Sequence, residues 1–288
     1  MSNITISVEA MSDINEEIQN KYNIAVAPME YMVDGKLYST LDGMPLSDFY
    51  AAMRNGAMTK TSQINTDGAY HHLEDLLKTG AEVLHFSMSS NISGTFGNFK
   101  FAARDLEKTY PGKVKVVDSL TASCGIMLLA VACAQKAEEG WTLDELYNYA
   151  MELRDNNSAL FVVDSLTYLA RAGRISRTAS LLGNAIHLKV ALRVSEDGFL
   201  VPYKKVLSRK RAVSEIVSST KKMFVPKFNT IYVGYTDYED EAKEVVEELK
   251  SALNVDVVLL QLGPVVISHG GPGSLCIYFT SDTKAIKQ

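Results

Sequence analysis

The sequence has few cysteines, and none of them belongs to a paired motif. Among its 288 residues only Cys124, Cys133 and Cys276 carry a thiol. An odd number without a C-x-x-C spacing argues against a disulfide framework or a zinc site, and it is typical of proteins in a reducing compartment. Cys124, close to a predicted helix start, leaves two interpretations open: an activated thiol or a small buried side chain. We expect an intracellular protein without disulfides.

Long apolar runs are also missing. No stretch reaches the roughly 18 uninterrupted apolar residues of a transmembrane helix, and residues 126–137, the most apolar helical stretch, are typical of a core helix. The N-terminus has neither the basic region nor the long apolar core of a signal peptide. These absences predict a cytoplasmic protein, and no coiled-coil pattern or long exposed apolar helix argues against a monomer.

Positive charge and local catalytic motifs are scarce as well. The net charge of -5 argues against a general nucleic-acid-binding protein. The sequence contains no phosphate loop, no H-E-x-x-H and no G-x-S-x-G motif. His71, His72 and His85 have no carboxylate pair nearby in the sequence that would make a metal site convincing. We therefore assign no catalytic residue, no metal site and no cofactor.

What the sequence does contain is an alternation of strand-like and helix-like segments. In the first half this order predicts a parallel sheet covered on both faces. The second half has a strand pair around Asp197-Gly198, which indicates an α+β layer. We expect an α/β protein with an N-terminal domain at residues 1–157 and a C-terminal domain at 158–288. The finer predictions include a strand at 24–33, helix caps at Ser47 and Asp67, and a loop at 59–63.

The most informative segment is the run SHGGPG at 268–273, which follows an apolar stretch at 264–267. We interpret that stretch as a buried strand that delivers His269 to a turn of little side-chain bulk. A ligand or partner could then reach the imidazole. The alternative is a tight turn between strands with a histidine on the surface.

Two other segments could bind an anion. The polar loop at 87–95 lies between a predicted strand and a helix, so that unpaired N–H groups and the hydroxyls of Ser93 and Thr95 suit a carboxylate or phosphate. Simple helix capping by Ser93 is the alternative. Arg171 and Arg174 flank a glycine, and they indicate either an anion or partner site or the capping of a helix C-terminus.

Five segments stand out when they are taken together. They are TSQ at 61–63, SSNISGT at 89–95, DSLTAS at 118–123, DSLTYLARAGRIS at 164–176, and GPVV at 263–266 with HGGPG at 269–273. In this order they resemble the DegV family, the fatty-acid-binding proteins that serve bacterial fatty acid kinase. Other positions depart from the family pattern, notably Glu9-Ala10-Met11 where D-S-T is usual, and also Ile64, Ala172 and Ile267.

The resemblance implies a two-domain fold with one long-chain fatty acid in a tunnel between the domains. It further implies that the protein is not itself an enzyme, but presents the acid to the ATP-binding subunit of a fatty acid kinase, which makes an acyl-phosphate for phospholipid synthesis. Transient membrane contact is compatible with this role. The residues implied at the carboxylate are Thr61, Ser62, Ser93, Gly94, Thr95 and His269, with Arg171 beside the head group or facing the kinase.

Two other functions stay open. His269 beside a glycine-rich turn and an anion-ready loop would also suit a phosphotransferase or hydrolase that uses the imidazole as base or covalent site. The Glu9-Ala10-Met11 departure would suit a regulatory module that responds to lipid.

Overall fold

The computed structural model describes residues 3–175 and 189–282. Ser176, the last residue of one matching segment, lies outside these ranges, as do residues 283–288 of the expected second domain. The strands of the described part are β1 Ile4–Glu9, β2 Ala25–Ala27, β3 Glu30–Val33, β4 Lys36–Ser39, β5 Thr59–Thr61, β6 Glu82–Ser87, β7 Val114–Asp118, β8 Asn157–Val162, β9 Lys189–Val194, β10 Leu200–Val206, β11 Thr230–Tyr235, β12 Asp256–Gln261 and β13 Leu275–Thr280. The helices are α1 Glu16–Tyr22, α2 Leu46–Arg54, α3 Thr66–Lys78, α4 Thr95–Leu106, α5 Cys124–Glu138, α6 Leu143–Arg154, α7 Thr167–Arg171, α8 Arg209–Met223, α9 Glu239–Leu253 and α10 Pro264–Gly270.

The first half forms a four-stranded parallel sheet in the order β2-β1-β6-β7. Alternate side chains of a strand point to opposite faces, and β6 shows the consequence. Val83 packs with residues of α3 and α4, whereas Leu84 packs with residues of α5 and α6. Helices therefore cover both faces, as the alternating pattern predicted.

The second half forms a six-stranded mixed sheet in the order β10-β9-β8-β13-β11-β12. Helices α8 and α9 pack on one face of it, and α5 packs near the other. Helix α5 is apolar around its whole circumference, and every residue from Cys124 to Ala134 is buried, as expected of a helix covered on all sides. It contacts β1 of the first sheet and β8, β11 and β13 of the second, so it holds the two halves together.

The two sheets, with the helices packed on them, confirm the expected α/β fold, which has a parallel N-terminal sheet and an α+β second part. The expected boundary between residues 157 and 158 falls at the start of β8, the first strand of the second sheet along the chain, and it stays a prediction. No helix in residues 3–175 and 189–282 is long and apolar enough to span a bilayer.

A third, three-stranded sheet in the order β4-β3-β5 forms a small antiparallel unit. The predicted hairpin is present, and Asp34 and Gly35 both have positive φ, 47° and 83°, as a tight two-residue turn requires. Two other expectations were wrong. The strand predicted at 24–33 is split into β2 and β3 in different sheets, with Pro28, which lacks an N–H donor, at the break. The loop predicted at 59–63 begins with β5.

The two predicted helix caps were also wrong. Helix α3 is capped by Asn65, whose side chain accepts a hydrogen bond from the Gly68 N–H at 2.8 Å, so Asp67 lies inside the first turn. Helix α2 follows Pro45 without a side-chain cap. Ser47 lies in its first turn, and its hydroxyl donates to Asp48 at 3.4 Å. A nearby residue of similar capping chemistry, Asn65, sets the start of α3. A proline, Pro45, sets the start of α2.

The apolar stretch at 264–267 is helical rather than extended, which corrects the expected strand before His269. Pro264 occupies the first position of α10, where its fixed φ suits a helix and its missing N–H costs nothing. The Ile267 N–H donates to the Gly263 carbonyl at 3.1 Å. Gly271, with φ 79°, ends the helix. A four-residue apolar run is too short for periodicity to separate strand from helix.

Candidate functional site

An apolar cavity lies between the two halves of the molecule. It has about 640 Å³ of empty space, a volume that includes open solvent at its mouth. Met11, Met88 and Ile92 line it from the first half, and Phe161, Leu169 and Leu200 line it from the second. Such a lining offers a dry environment to a hydrocarbon.

A polar pocket adjoins the cavity, and His269 and Arg174 line both spaces. We call this pocket the vestibule. Its other members include Thr59, Lys60, Thr61, Tyr168, Arg171 and Ser268. Because the two spaces share His269 and Arg174, these two residues mark the mouth of the cavity.

The imidazole of His269 has one nitrogen bound and one free. Its Nε2 lies 2.8 Å from Oγ1 of Thr61. Its Nδ1 is buried and has no hydrogen-bond partner among the described residues. Buried polar atoms are rarely left unpaired in native structures, so this nitrogen is the strongest sign of a ligand at the mouth.

Electrostatics keep this imidazole neutral. Burial, together with the nearby positive charge of Arg174, lowers the pKa of His269 to about 4. A neutral ring has one donor and one acceptor nitrogen. At pH 7 His269 can therefore donate one hydrogen bond to an anion while its other nitrogen accepts one from the Thr61 hydroxyl.

Short local elements bring these two residues together. Strand β5 places Thr61 opposite Tyr31 of β3, and α10 places His269 in its last turn. The Thr59 hydroxyl donates to the Ser268 carbonyl at 3.3 Å. The three-stranded sheet thus fixes the end of α10 against the vestibule.

The vestibule is positively charged. Lys60, Arg171 and Arg174 line it, and none of them has a carboxylate within ion-pair distance in residues 3–175 and 189–282. The Nε of Arg174 donates to the Ile92 carbonyl at 3.1 Å, which ties it to the loop before α4. Cations that have no carboxylate partner around an open pocket favour an anion there.

The other residues expected at the head group do not line the cavity or the vestibule. Ser93 and Thr95 contact each other, with 3.0 Å between their hydroxyl oxygens. Gly94 rather than Ser93 is the N-cap of α4, and no side chain caps that helix; the Thr95 N–H donates to Ser93 Oγ at 3.2 Å within the preceding turn. A Cβ on Gly94 would clash with Oε1 of Gln63, so the SGT and TSQ segments pack together. Ser62 is exposed beside a separate shallow pocket.

Two buried carboxyls near the cavity were missed from the sequence. Glu9 accepts hydrogen bonds from the Ser87 hydroxyl and, at 3.3 Å, from the Met88 N–H, and burial raises its pKa to about 7. Asp13 accepts from the Ser123 hydroxyl and, at 2.7 Å, from the Gly263 N–H, and burial again raises the pKa to about 7. The sequence signals at Glu9 were its position at the end of an apolar strand and its departure from the family's D-S-T pattern, and neither indicated a buried carboxyl.

Two of the histidines, His72 of α3 and His85 of β6, both contact Ser7 of β1. Ser7 Oγ lies 2.7 Å from Nε2 of His72 and 3.0 Å from Nδ1 of His85. Burial lowers the pKa of both imidazoles to about 3, so both rings are neutral. Across residues 3–175 and 189–282, no three His, Cys, Asp or Glu side chains are arranged to hold a metal ion.

The burial of Cys124 decides between its two interpretations. The side chain is fully buried at the start of α5, and burial raises the pKa of its thiol well above the usual value. A thiol that stays protonated in the core is a packing residue and a poor nucleophile.

Comparisons with known proteins agree on one family. The family model described as "Uncharacterised protein, DegV family" matches residues 3–282. A DegV domain-containing protein from Clostridium perfringens is 33% identical over 239 residues, which cover 82% of each chain. Among solved structures, a fatty-acid-binding DegV family protein from Thermus thermophilus superposes with a TM-score of 0.87 at 26% identity, over 97% of this chain and 99% of the other. A Thermotoga maritima protein, described as revealing a fatty acid binding function, gives a TM-score of 0.81 at 25% identity, over 98% of this chain and 100% of the other.

Proposed function

This chain belongs to the DegV family, and from that premise we propose that it binds one long-chain fatty acid in the apolar cavity, with the carboxylate at the mouth. The observation that carries the proposal is the buried, unpartnered Nδ1 of His269, which lies where the cavity meets the vestibule. Each methylene that the cavity removes from water stabilises the complex by about 0.8 kcal/mol.

The head-group chemistry follows from the neutral imidazole. A carboxylate at Nδ1 selects the tautomer that carries its proton there, because a carboxylate only accepts hydrogen bonds. Nε2 then accepts a hydrogen bond from the Thr61 hydroxyl, 2.8 Å away. Arg174 adds a nearby positive charge. In this arrangement Thr61 holds the ring in its binding tautomer, and Ser93 supplies a further donor once its hydroxyl turns from Thr95 towards the head group.

The finer part of the proposal is that the protein presents this carboxylate to a fatty acid kinase. Phosphoryl transfer from ATP to the carboxylate adds negative charge at the mouth, and Lys60, Arg171 and Arg174 line the vestibule where that charge would develop. The partner supplies the ATP-binding site, and the product is an acyl-phosphate for phospholipid synthesis. The protein acts as a cytoplasmic monomer in this scheme, with transient membrane contact to collect or deliver the acid.

A displacement titration with a fluorescent fatty acid tests the head-group site. We expect the double substitution Thr61→Ala and Ser93→Ala to weaken binding by roughly 1–3 kcal/mol, because hydrogen bonds that serve a charged group are lost. That corresponds to about 5- to 150-fold in Kd. The matched control is Thr79→Ala, at the exposed end of α3, which should leave Kd unchanged. An unchanged Kd in the double variant would remove Thr61 and Ser93 from the head-group role.

An enzymatic use of His269 is the second candidate, favoured by the short distance between the Thr61 hydroxyl and the imidazole. A hydroxyl activated in this way normally needs a third group to orient the base, and Nδ1 has none among the described residues. Turnover of acyl-phosphate or ATP by the purified chain alone, abolished by His269→Ala, would replace the carrier proposal. Lipid binding without stimulation of any fatty acid kinase would instead indicate a regulatory module.

A further inference from the structure

The segment that leads into and forms β13 runs along the cavity and presents alternate side chains to it. Ser274, Cys276 and Tyr278 all line the cavity, as the two-residue period of a strand requires. Ser274 lies at the mouth, because its hydroxyl donates to the Gly271 carbonyl, at 2.8 Å, just beyond α10. Four residues of extended chain span roughly 13 Å, so Tyr278 lies about that far inside from Ser274.

Two openings of the cavity, as residues 3–175 and 189–282 define it, lie away from Tyr278. The vestibule joins it through His269 and Arg174, and a surface groove joins it through Ile92, Arg174 and Leu200. Leu200 belongs to β10, the edge strand, whereas Tyr278 belongs to β13, which has neighbours on both sides. Tyr278 is only 4% exposed, so its ring is a buried part of the cavity wall.

The ring of Tyr278 is held firmly in place. A Cβ on Gly125 of α5 would lie 2.9 Å from its Cδ1, so the helix backbone packs directly against the ring. Tyr232 of β11 and Ala159 of β8 are its neighbours in register across the sheet. A close-packed aromatic ring of this kind cannot move aside cheaply.

We propose that Tyr278 closes the inner end of the cavity and sets the longest acyl chain that the protein accepts. This inference rests on the proposed fatty-acid binding and extends it to a specificity-determining residue. An acyl chain fixed by its carboxylate at His269 runs inward past Cys276 until its methyl end meets the Tyr278 ring. A longer chain would leave methylenes in water at the mouth or displace the head group.

The test is a competition among saturated acids from dodecanoic to docosanoic acid, offered as an equimolar mixture to the full-length protein. The bound acids are extracted and quantified. Tyr278→Val keeps a residue suited to a strand and opens the inner end. We expect its preferred acid to be longer than that of the wild type, with a gain of about fourfold for each methylene newly accommodated. Tyr278→Phe keeps the ring and should keep the wild-type profile.

A second variant covers the case in which Tyr278→Val fails to fold. Cys276→Leu fills the cavity one step nearer the mouth and should move the profile towards shorter acids. Uptake of fatty acids with the same chain-length profile in wild type, Tyr278→Val and Cys276→Leu would overturn the inference about Tyr278 and leave the proposed function standing. If no form of the protein takes up any acid, the proposed function fails, and the inference fails with it.

Discussion

Replacing the buried Glu9 by glutamine should change how stability depends on pH. Glu9 is fully buried at the end of β1. Its two oxygens accept hydrogen bonds from different groups, the Ser87 hydroxyl and the Met88 N–H. Glutamine retains both contacts, because its oxygen can accept from the N–H while its amide donates to the hydroxyl oxygen. Glu9→Gln therefore removes the titration of this site with little change in shape.

The magnitude follows from the shift in pKa. Burial, opposed in part by the hydrogen bonds, raises the pKa of Glu9 from 4.5 to about 7. Between these values the folded state holds a proton that the unfolded chain has released, so the free energy of unfolding falls as the pH rises. At 1.36 kcal/mol per pKa unit, the loss from below pH 4.5 to above pH 7 amounts to about 3 kcal/mol, which the glutamine variant avoids.

Urea unfolding at pH 5 and pH 8 measures this difference. We expect Glu9→Gln to be stabilised relative to the wild type at pH 8, and by much less at pH 5. Asp13 titrates in the same window, but it is present in both proteins and its contribution cancels. The control is Glu152→Gln, at an exposed position of α6. An offset between wild type and Glu9→Gln that is the same at both pH values would refute the reasoning.

Two further predictions concern His269 and the cysteines. A bound fatty-acid carboxylate should raise the pKa of His269 above about 4, because a neighbouring anion favours the imidazolium. An NMR titration of the ring protons with and without fatty acid measures this pKa. An unchanged pKa would rule out contact between the carboxylate and the imidazole. The thiols of Cys124, Cys133 and Cys276 are buried with raised pKa values. A thiol reagent should therefore label them fully in denaturant but only slowly in the folded protein. Rapid labelling of the native state would contradict their burial.

The alternating layers could be read from the sequence because their signals are local and strong. The apolar stretch at 126–137 predicted a core helix, and α5 is buried throughout its first eleven residues. The hairpins at Asp34-Gly35 and Asp197-Gly198 both formed where their turn residues indicate them. The first has a two-residue turn, whereas the second has a three-residue loop, 196–198, that ends in Gly198 with φ 80°. Period and turn chemistry decide these elements without help from distant residues.

The element that carries His269 could not be read in this way. Pro264 and the three apolar residues after it suit a strand and the first turn of a helix equally well, so tertiary packing decided the outcome. The pairing of Thr61 with His269 joins positions 208 residues apart. No local sequence pattern can relate residues that lie so far apart in the chain. Only the family resemblance placed Thr61 and His269 in one expected site.

Two residues show the limits of motif matching in particular. Arg174 was seen as part of a segment, yet only the fold reveals that it lines both the cavity and the vestibule. At Glu9 the sequence showed a departure from the family pattern and the loss of two hydroxyls nearby. The fold shows a buried carboxyl that Ser87 and Met88 satisfy, because residues on neighbouring strands supply the donors.

Native mass spectrometry of the freshly purified protein, followed by solvent extraction of whatever is bound, tests the central claim most directly. The account predicts a mass excess that matches one long-chain fatty acid, recovered intact in the extract and lost on delipidation. A protein that keeps its apo mass after incubation with palmitate and oleate would contradict fatty-acid binding and would leave the unpartnered Nδ1 of His269 to be explained by another ligand.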